Sequence, residues 1–218
     1  MVMAARIIMI VKRWYAYMKK RIAYAFDLDG TITKEEILPC IAGELGLFHE
    51  MGLLTQLTMD GVIGFEDSFR LRFQILKNVP IANIQNIVSA VSIDPFIERF
   101  ININHENCYI ITGNLDVWIM PLMNKLACKF YTSTSRINEN NELLLDKILN
   151  KGDAVRDLRN KYEQIVVVGE GYNDIPMFEE ADVGIAFGGT HQPIPEIVKI
   201  SNHICYEGES LCQLLNKL

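Results

Sequence analysis

Short apolar runs that end in polar or acidic groups restrict this chain more than any other feature. "RIAYAF" (21–26) runs into Asp27 and Asp29, "CYIIT" (108–112) into Gly113 and Asn114, and "QIVVVG" (164–169) into Glu170 and Asp174. Runs this short and this apolar read as buried strands. "CKFYTS" (128–133), "VGIAF" and "NHICYE" read the same way. Between them the period turns helical. Phe65, Phe69, Phe73 and Leu76 recur at helix spacing, as do Ile81, Ile84, Val88 and Val91, with a turn marked by Gly61 and Gly64. Residues 35–92 therefore predict several helices. Others are expected from Gly113-Asn114 to about 126, over about 148–162, and in "DIPMFEEA", "PIPEIVKI" and the C-terminal end. "SRINENNELLLD" predicts a small polar hairpin or loop. Alternating strands and helices imply right-handed βαβ units, hence an α/β fold with a parallel sheet covered on both faces.

In such a sheet, ligands bind beyond the carboxyl ends of the strands. The sequence places Asp27, Asp29, Glu170, Asp174 and the Thr112 hydroxyl there. Two carboxylates as close as Asp27 and Asp29 repel and resist burial, so a cation is expected beside them. Mg²⁺, which takes oxygen ligands from carboxylates, waters and phosphates, fits that need. A carboxylate can also attack phosphorus, and a second acid two residues on can move protons to and from the reacting oxygens. Gly30 allows a bend and the close approach of a phosphate. Thr112 and the amides after Gly113 can bind phosphate oxygens. Lys151, at the start of a helix before "IVVV", is the candidate cation against the transferring group.

The charge pattern narrows the partners. Six of the 21 basic residues lie in residues 1–21, which carry no acid, so residues 22–218 hold 15 basic against 27 acidic, a net of −12. An acidic body argues against nucleic acid and suits a protein that gathers divalent cations. Five cysteines without a CxxC pair read as reduced thiols, hence a cytoplasmic protein. The four histidines show no metal-ligand spacing and read as scattered structural residues. In the N-terminal segment "IIMIV" is short for a signal peptide. On a helix, Ile7, Val11, Trp14 and Met18 share one side, while Arg6, Arg13 and Lys20 share another. Three readings stay open there: a basic helix at a membrane surface, a helix packed on the domain, and a true start at Met18.

These motifs, in this order and spacing, resemble the haloacid-dehalogenase-like hydrolases, and within them the phosphoserine phosphatase-like branch. "DLDGT" (27–31), the apolar run ending at Thr112, Lys151 and "GEGYND" (169–174) match the family's four motifs. The resemblance implies a Rossmann-like three-layer core, residues 21–32 and 96–218, with a small helical cap, 33–95, inserted after the first strand. Residues 1–20 stand outside it as a basic extension. It implies Asp27 as nucleophile and Asp29 as general acid/base. Mg²⁺ would be held by Asp27, the Asp29 carbonyl, Glu170 and Asp174. Thr112, Gly113 and Lys151 would bind phosphate. In the cap segment "GFEDSFRLRFQIL", Arg72 matches the residue that meets a substrate carboxylate. Glu36 matches the acid that meets the amine, and Asn173 another substrate contact. The implied substrate is a small phosphorylated metabolite, phosphoserine first. The sequence departs from the branch in three places. Glu170 replaces the usual Asp, Thr-Gly-Asn replaces Ser-Gly-Gly, and the stretch between Thr112 and Lys151 is short. Three alternatives therefore stand beside phosphoserine hydrolysis: another small phosphate ester, a phosphotransferase, or a weakly catalytic phospholigand-binding protein.

Overall fold

A computed structural model describes residues 21–218. The basic segment 1–20, with its expected amphipathic helix, lies outside the described residues. No helix among the described residues is long and apolar enough to cross a membrane. Strands β1 (Ile22–Phe26), β2 (Cys108–Leu115), β3 (Lys129–Ile137), β4 (Leu143–Lys147), β5 (Gln164–Gly169), β6 (Val183–Phe187) and β7 (His203–Cys205) form one sheet, ordered β4-β3-β2-β1-β5-β6-β7. Every pairing is parallel except β3 with β4, which form the expected polar hairpin at one edge.

Side-chain alternation along the strands builds two cores. Phe26, Ile110, Val166, Val168 and Ile185 face one way, onto α5 (Pro95–Ile103) and α10 (Gly208–Leu215). Ala23, Ala25, Ile111, Ile165 and Val167 face the other, onto α7 (Lys151–Arg159), α8 (Ile175–Glu180) and α9 (Pro195–Ile200). The expected α/β three-layer, parallel-sheet core is present. Each fully buried side chain of this size contributes about 1.5–3 kcal/mol by leaving water. Phe100 of α5 sets its ring edge-on to Tyr24 and Phe26 of β1, with centroids at 5.2 and 6.2 Å. That contact fixes the strand that carries the acid pair. α5 itself starts where Asp94 accepts from Phe96 N and Ile97 N, and Pro95 supplies a ready-made first turn.

Helices α1 (Ile37–Ala42), α2 (Phe48–Met59), α3 (Phe65–Leu76) and α4 (Ile81–Ala90) lie between β1 and β2 in the chain. The chain enters and leaves this helical segment through a paired ribbon. Thr33 bridges Ile93 antiparallel, Lys34 N donates to Ser92 O, and Asp94 N donates to Ile32 O. Phe73 of α3 stacks on the buried Trp118, with centroids 6.0 Å apart.

Two expected helices cover fewer residues than the sequence pattern suggests. No helix opens at Gly113. β2 runs on to Leu115, because Leu115 pairs with Ser133 and the Ser133 hydroxyl donates to Gly113 O at 2.7 Å. The helix that follows, α6, is confined to Met120–Lys125, with Pro121 in its first turn. The helix expected over 148–162 is confined to α7. Asn150 Oδ1 accepts from Gly152 N and Asp153 N, and this cap makes Lys151 the first helical residue.

Candidate active site

β1 is central, flanked by β2 on one side and β5 on the other, and the connection into β5 crosses from the β2 side to the far side of β1. Its carboxyl end therefore opens at the crevice where strand order reverses. Asp27 is buried there, its amide donating to Val168 O of β5. Its Oδ1 accepts from Leu28 N at 2.7 Å and from Lys151 Nζ at 2.5 Å. Lys151 Nζ also meets Asp174 Oδ1 at 2.6 Å, and all three side chains are buried. Burial alone would lower the Lys151 ammonium, but Asp174 and Asp27 outweigh it and hold it charged. Burial and the neighbouring Asp174 push the Asp27 carboxyl up, against the pull of Lys151. No hydrogen bond from the described residues falls on Asp27 Oδ2.

Asp174 turns back on the loop after β5: its Oδ2 accepts from Glu170 N at 2.8 Å and Gly171 N at 2.9 Å. That bond closes the loop after β5, while Oδ1 stays with Lys151.

Asp29 is held from both sides. Its Oδ1 accepts from Ile37 N at 3.0 Å, which ties it to the first amide of α1. Its Oδ2 accepts from Asn114 Nδ2. Desolvation first, then the charge of Glu36, push this carboxyl up to about 7. An acid with that pKa can donate and accept a proton near neutral pH.

Glu170 is 1% exposed. Its Oε2 accepts from Thr31 Oγ1 at 3.2 Å, but its Oε1 is buried without a hydrogen-bond partner among the described residues. Burial, and then Asp27, Asp174 and Glu36, push its carboxyl up. Gly30, at φ +71°, makes room: a Cβ there would collide with Glu170 Oε1. An orphaned carboxylate oxygen amid three other acids is the environment a divalent cation stabilises. The donor set fits one.

Four of the six residues expected to meet substrate line the same cleft, Glu36, Arg72, Gly113 and Asn173, together with Asp27, Asp29 and Glu170; Thr112 and Lys151 are buried and do not line it. Arg72 is only 4% exposed. Its Nη1 donates to Thr55 Oγ1 at 3.3 Å, and it makes no ion pair among the described residues. Burial lowers its pKa while Asp29 and Glu36 oppose the shift. Thr112 is fully buried, and its Oγ1 accepts from Asn114 N and Nδ2. Gly113 faces the ring of Phe65, which a Cβ would strike.

Sequence reasoning missed four side chains that shape the site. Thr31 and Ser133 fix Glu170 and Gly113. Phe65 roofs the phosphate end. His191, read as structural, stands in the site with Nε2 at 3.2 Å from Glu36 Oε1. The contact with the Glu36 carboxylate raises its pKa. Gly113 carried a signal for a close neighbour. His191 carried none, because its partners lie 155 and 21 residues away in the chain.

The family model of the haloacid dehalogenase-like hydrolases matches residues 24–179. A phosphoserine phosphatase of Methanocaldococcus jannaschii is 28% identical over 210 residues, covering 90% of this chain and 97% of the relative. A phosphoserine phosphatase of Mycobacterium tuberculosis is 29% identical over 192 residues, covering 79% of this chain. The chain spans 45% of that longer relative. A solved phosphoserine phosphatase carrying a phospho-aspartyl intermediate analogue superposes with TM-score 0.76 at 25% identity, covering 92% of this chain and 99% of that one.

Proposed function

The chain belongs to the haloacid dehalogenase-like hydrolase family, and we propose that it is a Mg²⁺-dependent phosphomonoesterase working through an aspartyl phosphate, with phosphoserine as its leading substrate. The observation that carries this reading is the pair at the end of β1. Asp27 is ion-paired through Oδ1 to Lys151, and Asp29, two residues on, has its carboxyl near 7.

Asp27 Oδ2 is the oxygen left for attack. It forms a bond to phosphorus as the ester P–O bond breaks, and Asp29 gives its proton to the departing alkoxide. In the second half, Asp29 takes a proton from water as the water oxygen attacks phosphorus. The acyl phosphate bond breaks, inorganic phosphate leaves and the Asp27 carboxylate is restored. Lys151, the Thr112 hydroxyl and the backbone at Gly113 bind the transferring oxygens, with Lys151 offsetting charge that builds on them. Asp27, the Asp29 carbonyl, Glu170 and Asp174 would hold Mg²⁺, which when bound offsets negative charge on the phosphate and on the acids themselves. Two acids thus share one edge because one is the nucleophile, the other the proton carrier, and a cation balances both.

Arg72 and Glu36 support an amino-acid phosphate. A buried guanidinium without an ion-pair partner among the described residues suits a substrate carboxylate, and a carboxylate in the same cleft suits an ammonium. Asn173 lines the cleft beside them. The relatives named as phosphoserine phosphatases favour the same substrate.

The test is phosphate release from a panel of phosphomonoesters, with and without Mg²⁺, run beside Asp27→Asn and Arg72→Ala. The expected result is Mg²⁺-dependent release from phosphoserine above the other esters, abolished in Asp27→Asn. In Arg72→Ala, phosphoserine alone should lose its advantage. Release from other esters only would keep the mechanism and remove the substrate. No release from any ester would overturn the phosphatase reading.

A further inference from the structure

One cluster goes beyond that reaction. Glu36, from the start of the helical segment, Glu170, from the loop after β5, and His191, from the loop after β6, each offer a ligand atom, and these atoms all lie within 4.8 Å of one another. We propose that these three side chains form a second cation site, suited to a borderline metal such as Zn²⁺ rather than to Mg²⁺.

The geometry is close to what a tetrahedral ion needs. Ligands about 2.1 Å from Zn²⁺ stand about 3.4 Å apart around it. His191 Nε2 and Glu36 Oε1 are already 3.2 Å apart. The third ligand is waiting: Glu170 Oε1 is buried and unpartnered among the described residues, and both it and the His191 ring pack against Gly30. An ordinary Glu36–His191 ion pair leaves that oxygen unsatisfied, which costs free energy. A cation reaching all three satisfies it. Two carboxylates and a neutral imidazole carry a charge of −2, which balances one divalent ion. The imidazole sets the preference, because nitrogen ligands favour later first-row ions whereas Mg²⁺ keeps to oxygen.

The extra methylene of Glu170 makes the site possible. It carries the carboxylate toward Glu36 and His191, while Asp27 and Asp174 stay gathered on Lys151. An ion here withdraws Glu36 from a substrate ammonium and Glu170 from Mg²⁺. Zn²⁺ at this site therefore opposes turnover.

Binding is measured on the metal-stripped full chain by titration with Zn²⁺ in excess Mg²⁺, and with Co²⁺ for its visible spectrum. One Zn²⁺ per chain is expected in the parent and in Asp27→Asn, whether or not either hydrolyses an ester. His191→Ala should weaken Zn²⁺ by at least the roughly 10–100-fold that even an outer-shell partner is worth. Glu36→Gln carries the same expectation should His191→Ala fail to fold. No Zn²⁺ retained against Mg²⁺, unchanged affinity in the folded variants, or a thiolate charge-transfer band in the Co²⁺ form would each overturn the site.

Discussion

Replacing Lys151 by Met keeps most of the unbranched side chain, one atom shorter, and removes its charge. Nζ lies 2.5 Å from Asp27 Oδ1 and 2.6 Å from Asp174 Oδ1, with all three residues buried. At an effective dielectric near 20, each contact has a gross attraction of about 6 kcal/mol. Most of that offsets the desolvation of the three charges. The variant does not recover the desolvation, because both acids remain where they were. Removing one partner of a buried pair costs about 3–5 kcal/mol. A chain of this size loses about 2–4 °C of melting temperature per kcal/mol, so the metal-free variant should melt about 6–20 °C lower at pH 8. The sign of the pH effect follows from Asp27. Burial and Asp174 already push its carboxyl up, and without Lys151 it protonates more readily as pH falls. The deficit should therefore shrink at pH 5, and added Mg²⁺ should recover part of it at pH 8. The assay is a thermal scan at both pH values, with and without Mg²⁺. A melting temperature within about 2 °C of the parent at pH 8, or a deficit that grows on acidification, refutes the reasoning.

Other consequences are checked by the same kinds of measurement. Asp29 and Glu170 both have raised carboxyl pKa values in the folded chain, Asp29 at about 7. A group raised on folding stabilises the chain below its unfolded value, about 4, and that contribution is lost as pH climbs through the folded value. The metal-free melting temperature should accordingly fall between about pH 4 and 7, and Mg²⁺ should raise it more at pH 8 than at pH 5. The reverse ordering contradicts the direction of both shifts. Gly30→Ala forces a Cβ against Glu170 Oε1 at φ +71°. Strain of about 1–3 kcal/mol is expected, together with weaker Mg²⁺ binding by calorimetry. Asp94→Ala removes the cap of α5, so it should cost about 1 kcal/mol in denaturant unfolding while hydrolysis continues at the parental rate.

The sheet was legible because period and length speak locally. "QIVVVG" cannot hide as anything but a buried strand, and strand–helix alternation leaves few topologies. What failed to show was decided at a distance. The helix expected at Gly113 gave way to strand because Ser133, twenty residues on, donates to Gly113 O. Lys151 at the start of α7 was legible, because the Asn150 cap is a local signal; only the apolar period overran that helix by a few residues at each end.

The acids at the strand ends were legible for a related reason: topology collects strand ends at one edge, so residues far apart in sequence need no motif linking them. Loop side chains have no such rule. Nothing in "GGTHQP" tells that His191 reaches Glu36, yet the pair stands 3.2 Å apart. Glu170 showed the converse. Its departure from the expected Asp was visible in the sequence, but only as a longer arm on the same ligand. In the fold the longer arm places one oxygen on Thr31 and the other, unpartnered, beside His191. Shortening it by Glu170→Asp separates the two roles. Mg²⁺ binding should persist or tighten as the carboxylate returns toward Asp27, while Zn²⁺ binding through His191 should weaken. Parallel loss of both ions would mean that a single cation, not two, is what Glu170 serves.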